Sequence, residues 1–167
     1  MKTFSKVKIK KATISDIEPF WNLFKDSVKT QFPQYSLKVK NIFLKKYSTK
    51  KNFIGDLKRK KIDLLLAFIN NQIVGYLLAL PPYGGISYLS WIAVKDSFRK
   101  KGIGSSLLKE YEIVAKRKGI HKIHLWTDRR NLRFYKKNGW TPVGHIPKNY
   151  FGADDWLFYK SIQNPKY

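Results

Sequence analysis

Residues Ser90–Leu108 read SWIAVKDSFRKKGIGSSLL, and this stretch constrains the rest of the chain more than any other. It starts inside an apolar strand, Leu89 to Val94. It continues through a short basic loop, Lys95 to Lys101, into a helix that opens at Gly102. A strand that runs through a loop into a helix N-terminus presents a row of backbone N–H groups to an anion. Arg99, Lys100 and Lys101 stand at the mouth of that row. Downstream, Ile103, Leu107, Leu108, Tyr111, Val114 and Ala115 recur at helical spacing. Gly119 follows as a C-terminal stop.

Working outward, Ile120 to Trp126 reads as a strand, so the helix becomes a crossover between two parallel strands of right-handed connection. Leu132 to Asn138 reads as a short helix, stopped by Gly139. Two final strands follow, Trp140 to Ile146 and Asp155 to Ile162. On the other side lie two near-continuous apolar runs, Ile62–Ile69 and Ile73–Leu80. Asn70, Asn71 and Gln72 separate them, which predicts a tight hairpin of buried strands. Earlier, Val7 and Ile9 alternate with lysines, as in a half-buried strand. Ser15 to Glu18 has the capping-box form, and Ile17, Phe20, Trp21, Phe24 and Val28 predict a helix that ends at Phe32–Pro33. Leu37 to Lys61 is basic and weakly amphipathic, and reads as a second, broken helix.

The 167 residues are of a size for one domain, residues 1–167, with one real core. No apolar run is long enough to span a bilayer, and MKTFSKVKIKK lacks the apolar centre of a secretory signal. The expectation is a soluble, cytoplasmic protein with no membrane partner. Cysteine is absent, which excludes disulfides, thiolate metal sites and a cysteine nucleophile. The three histidines lack metal-ligand spacing, so no metal is expected. No Ser-His-Asp arrangement supports a hydrolase. The formal charge is +23, carried almost entirely by lysine. It favours polyanions such as nucleic acid, ribosome or a phosphate-rich cofactor. A lysine-rich proteome is the alternative source.

Arg99 to Gly104, RKKGIG, has the form R-x-x-G-x-G at a strand-to-helix junction. Glycines let a backbone approach a diphosphate, and the helix N-terminus favours its charge. The pattern is neither a dinucleotide fingerprint nor a Walker loop. A plain tight turn at Gly102 is the structural alternative. The apolar strand before it and the amphipathic helix after it favour the anion site. Here the chain resembles the GNAT superfamily of acetyl-CoA-dependent N-acetyltransferases, whose phosphate loop has this pattern. Phe134-Tyr135-Lys-Lys-Asn-Gly139-Trp140 is similar to the family's aromatic segment after the fifth strand. The two motifs occur in the family's order, and the resemblance covers nearly the whole chain.

The resemblance implies an α/β fold: a mixed, mostly antiparallel twisted sheet of about seven strands, helices on both faces, and a V-shaped opening between strands four and five. It implies acetyl-CoA as cofactor, with its pyrophosphate held by the loop Arg99, Lys100, Lys101, Gly102, Ile103, Gly104 and Ser105. The backbone of Trp91, Ile92, Ala93 and Val94 would pair with the pantetheine arm, with the N–H near Ile92 placed for the oxyanion. Tyr135 would protonate the leaving thiolate, since a phenol with a pKa of about 10 carries its proton at neutral pH. A core aromatic is the plainer role for Tyr135. Either Asp128 or Asn131 would contact pantetheine. An amide suits that arm better than a carboxylate, and Asp128 could instead cap the short helix.

Where some family members place a carboxylate base on the fourth strand, this chain has Tyr88, which could orient a proton-relaying water. Ser90 and His124 are further candidates for the base. In the last hairpin, Tyr150, Asp154 or Asp155 could meet a cationic amine, in a region that loosely resembles protein N-terminal acetyltransferases. The acceptor is thus a primary amine of unassigned identity: a protein N-terminus, a lysine, a polyamine or another small amine. The contrasting expectation is a basic RNA- or ribosome-binding module on the same fold, motivated by the lysines of residues 37–61. Monomer and homodimer are both open, because the last two strands could pair within one subunit or across two.

Overall fold

The computed structural model describes residues 6–166; residues 1–5, the start of the stretch read as lacking a leader, and residue 167 lie outside the described residues. Seven strands form one sheet in the order β1-β2-β3-β4-β5-β7-β6. They are β1 (Lys8–Lys11), β2 (Asp63–Ile69), β3 (Gln72–Ala79), β4 (Ile86–Val94), β5 (Lys122–Thr127), β6 (Thr141–Ile146) and β7 (Asp155–Ser161). Every neighbouring pair is antiparallel except β4 and β5. The exception follows from the crossover helix, α4 (Ile103–Arg117), which returns the chain to the same end of the sheet. The last two strands pair within the chain, with β7 inserted between β5 and β6.

The apolar runs become β2 and β3, and every residue of β3 after Gln72 is buried. Their turn is Asn70-Asn71, both left-handed at φ 48° and 61°. Two such residues make the turn whose twist matches a hairpin, and asparagine tolerates that backbone. Helix α4 and α5 (Leu132–Lys137) cover one face of the sheet around Leu107, Tyr111, Tyr135 and Phe158. The other face packs α1 (Ile17–Gln31) and α3 (Lys50–Lys58) through Phe20, Phe24, Phe53 and Tyr76. Each face buries a tyrosine whose hydroxyl needs a partner. Tyr76 shares a 2.6 Å hydrogen bond with Ser27, and Tyr111 one of 2.5 Å with Ser87.

One local expectation needs correction. The N-terminal cap of the first helical segment is not Ser15 but Thr13, which opens a 3-10 turn (Ile14–Asp16) ahead of α1. The Thr13 N–H and hydroxyl both donate to Asp16 Oδ2 at 2.8 Å. The basic region between α1 and β2 is the expected broken helix: α2 (Leu37–Ile42), a π-helical turn (Phe43–Tyr47), then α3. Ser36 and Thr49 cap α2 and α3 by accepting from Val39 N–H and Asn52 N–H. The apolar residues of this region are only partly covered: Leu37 is 72% and Tyr47 53% exposed, while Leu44 packs on the core. Among the described residues no helix is long and apolar enough to cross a membrane.

Candidate active site

The parallel pairing of β4 with β5 covers only three residue pairs, Ile86–Lys122, Ser87–Ile123 and Tyr88–His124. Beyond them β4 pairs only with β3, and β5 only with β7. The sheet therefore splits, and the edge of Leu89 to Val94 that faces β5 carries no strand. A bulge helps set the split: Leu78 pairs with Trp91 but Ala79 with Leu89, which leaves Ser90 as the extra residue on β4. Bulges bend and twist a strand locally. An extended, amide-bearing ligand could add to that edge as another strand would.

At the end of β4 the chain turns through a 3-10 segment, Asp96–Phe98, into the glycine loop. Lys100 and Gly102 are both left-handed, at φ 59° and 77°. Gly102 caps α4, and its carbonyl accepts the Ser106 N–H at 3.0 Å. The N–H groups of the first turn, Ile103 to Ser105, have no intrahelical acceptor and form the anion-facing row. Arg99 is held within the loop: its Nε donates to Val94 O at 3.3 Å and lies 3.1 Å from Asp96. Lys101 Nζ donates to Ser97 O at 3.1 Å. Gln31 Nε2 also donates to Val94 O, at 3.1 Å. Arg99 and Gln31 thus brace the strand end, a job invisible in the linear motif.

The second motif meets the first directly. Phe134 packs on Gly104, where a Cβ would stand 3.1 Å from its Cζ. Tyr135 points inward, 4% exposed, against Phe134, Trp140 and Phe158. Its hydroxyl pairs with the Thr127 side chain. Burial raises this phenol well above its ordinary value, and the nearby Asp128 adds to the shift, so it stays protonated. It is core aromatic and candidate proton donor at once.

Asp128 is buried and caps the turn Arg129–Asn131. It accepts from the Arg130 N–H at 2.8 Å, from Arg130 Nη2 at 2.7 Å, and from Asn131 Nδ2 at 3.4 Å. Both pantetheine candidates are therefore bonded to each other. Arg130 bridges Asp128 to Gln34 Oε1, the latter at 3.0 Å.

On the α1 side of the split, the Tyr88 and His124 rings stack, centroids 5.1 Å apart. Burial raises Tyr88 and lowers His124. The phenol is thus neutral, and the imidazole resists protonation. Tyr35, between α1 and α2, is pushed up to about 12 by burial and by Asp155 nearby. Sequence reading passed over Tyr35, because an aromatic in a loop carries no periodicity. The two acids of the last hairpin separate sharply. Asp154 is exposed and accepts the Lys148 N–H at 3.0 Å, a bond that lowers its pKa. Asp155 is 4% exposed, and burial raises it. Among the described residues, no three His, Asp or Glu side chains gather as metal ligands.

A sheet opened between two parallel strands, with a helix N-terminus and glycine loop at one end and a buried tyrosine alongside, defines a site for a phosphate-bearing, extended donor. The model of the Acetyltransferase (GNAT) family matches residues 20–140, and the chain belongs to this family of acetyl-CoA-dependent N-acetyltransferases. It is 27% identical over 141 residues to the spermidine N(1)-acetyltransferase of Thermoplasma acidophilum, covering 80% of this chain and 87% of that protein. Its fold superposes on PaiA N-acetyltransferase of the same organism, solved with coenzyme A, with a TM-score of 0.81 at 24% identity over 93% of this chain and 99% of that one. The ribosomal-protein-alanine N-acetyltransferase of Brucella melitensis gives 0.73 at 21% identity over 92% and 99%. The sheet order and its split bear out the expected fold.

Proposed function

We propose that this protein acetylates a small primary amine by direct attack on acetyl-CoA, in the cytoplasm. The observation that carries the reading is the end of β4–β5 pairing at Tyr88–His124, which leaves a bare strand edge beside the N-terminus of α4. Acetyl-CoA supplies an activated acetyl group. The loop N–H groups from Lys100 to Ser105 would take the pyrophosphate. The Trp91–Val94 backbone would take the pantetheine amides, with the N–H near Ile92 on the thioester oxygen. Asn131 would serve pantetheine better than Asp128, whose oxygens already accept from Arg130. Tyr135, kept protonated by burial, would give its proton to the thiolate. Tyr88, neutral and stacked on His124, would orient a water rather than act as base.

The spermidine acetyltransferase likeness supports a polyamine-like acceptor, as does the buried acid Asp155 near the split in a chain of charge +23. Thiol release from acetyl-CoA is the test, with spermidine, an N-terminal peptide and an aminoglycoside as acceptors and Tyr135→Phe as control. Turnover with an amine and a rise in melting temperature with acetyl-CoA are expected. If no acceptor supports turnover and acetyl-CoA leaves the melting temperature unmoved, the reading is wrong.

A further inference from the structure

Asp155 opens β7 and is almost fully buried. Its Oδ2 has no hydrogen-bond partner among the described residues. The carboxylate takes a hydrogen bond from the Tyr150 backbone N–H and has the Asn149 amide beside it, but neither Asn149 Nδ2 nor Asp155 Oδ2 reaches a partner in good hydrogen-bond geometry. Trp156 and Phe158 pack with the α4 core. Strand alternation therefore turns Asp155 to the opposite face, the one where Tyr88 and His124 stack. Tyr35 and Tyr88 lie within electrostatic reach of the carboxylate, which helps to raise both phenols, and Tyr150 meets it through its backbone N–H. Phe151 then ties the β6–β7 loop to the α1–α2 segment, its ring 4.9 Å from Phe43 and 6.4 Å from Tyr35. The other nearby acid, Asp128, is already neutralised by Arg130.

A buried carboxylate oxygen without a donor is a costly arrangement unless something supplies one. An ammonium group brings three N–H donors and the missing positive charge. We propose that Asp155 holds an ammonium group of the acceptor, and that the acceptor is a small diamine or polyamine. The proposal rests on the acetyl-transfer reading above. The ammonium held is the one that does not react. The attacking nitrogen must be neutral, and an adjacent carboxylate favours the charged form of an amine. A second cationic group, some methylenes away from the nucleophile, satisfies both demands.

The test compares 1,4-diaminobutane with butylamine, which differ by one ammonium, as acceptors for wild type, Asp155→Asn and Asp154→Asn. Wild type is expected to prefer the diamine, through a lower KM. Asp155→Asn is expected to lower kcat/KM for the diamine by about 30-fold or more. Its loss for butylamine should be smaller than its loss for the diamine by about tenfold or more, because that acceptor lacks the second ammonium. Asp154→Asn should behave as wild type. The melting-temperature rise with acetyl-CoA, expected in all three proteins, shows that fold and donor site are intact. Retention of the diamine preference by Asp155→Asn overturns the anchor, as does equal use of both amines by wild type. Turnover of neither amine by wild type, or of any other acceptor, overturns the acetyl-transfer reading and the anchor with it.

Discussion

Gly104 and Phe134 are in contact: a Cβ built on Gly104 would stand 3.1 Å from Phe134 Cζ and 3.4 Å from Cε2. This contact joins the glycine loop at the start of α4 to the segment that carries Tyr135. The loop and the candidate proton donor therefore move together, and the last glycine of the R-x-x-G-x-G pattern is needed for packing as much as for a ligand.

Substituting Gly104 tests this coupling. Gly104→Ala is expected to displace the half-buried Phe134 ring and weaken the acetyl-CoA-induced rise in melting temperature. Gly104→Val adds bulk that the contact cannot absorb, with a loss of about 1–3 kcal/mol. Urea unfolding and the KM for acetyl-CoA measure the two effects.

Gly102 behaves differently. At φ 77° it has open space where a Cβ would go, so no clash arises. Gly102→Ala loses stability through the left-handed backbone alone, by about 1–2 kcal/mol. A shift of the urea midpoint with unchanged slope is the expected result.

Tyr135→Phe removes the hydroxyl but keeps the ring against Trp140 and Phe158. Turnover is expected to fall by about 10²–10⁴-fold, the usual yield of a positioned proton donor. Acetyl-CoA should still raise the melting temperature. A purely structural tyrosine would show the opposite, lower stability with kcat preserved. Because burial raises this phenol, the wild-type rate should show no loss from its ionisation up to about pH 10, its ordinary value.

Asp155 links stability to pH. Burial raises its carboxyl, so the folded protein binds this proton more readily than the unfolded chain. Its contribution is most favourable below the unfolded value of about 3.9 and is lost as pH rises through the folded value. Asp155→Asn is therefore expected to melt higher than wild type at neutral pH. The gap should close as pH falls toward the ordinary carboxylate range. Melting curves across pH measure it.

Phe151 holds a left-handed backbone, φ 53°, while packing on Phe43. Phe151→Gly relieves the backbone but frees the β6–β7 loop. The KM for the acceptor is expected to rise by about 5–10-fold, the scale of one lost aromatic pair. The KM for acetyl-CoA should not change. Equal changes in both would show that the loop serves the whole fold rather than the acceptor side.

Much of this molecule was legible before any coordinates. Alternation and apolar runs located the strands within a residue or two. Asn70-Asn71 announced its hairpin, and glycines marked the ends of α4 and α5. These features are local: periodicity, backbone tolerance and turn chemistry act over a few residues. The capping box was misplaced because Thr13 and Ser15 both fit the pattern, and the sequence does not say which hydroxyl meets Asp16. The donor motif was equally local, since a glycine loop between a strand and a helix makes an anion site by itself.

The acceptor side was not local, and only the tertiary structure decided it. Asp154 and Asp155 are neighbours of identical chemistry. Which of them is buried depends on where β7 starts between β5 and β6: Asp155 is its first residue and is buried, while Asp154 stays in the exposed loop before it. Tyr35, Tyr88, Tyr150 and Asp155 come from four separate segments and meet only because the sheet splits after Tyr88–His124. The sequence alone determined what the donor end is made of, because backbone N–H groups at a helix start need no distant partner. The fold determined which acid of the last hairpin is buried, because burial belongs to the assembled sheet and not to any residue in the chain.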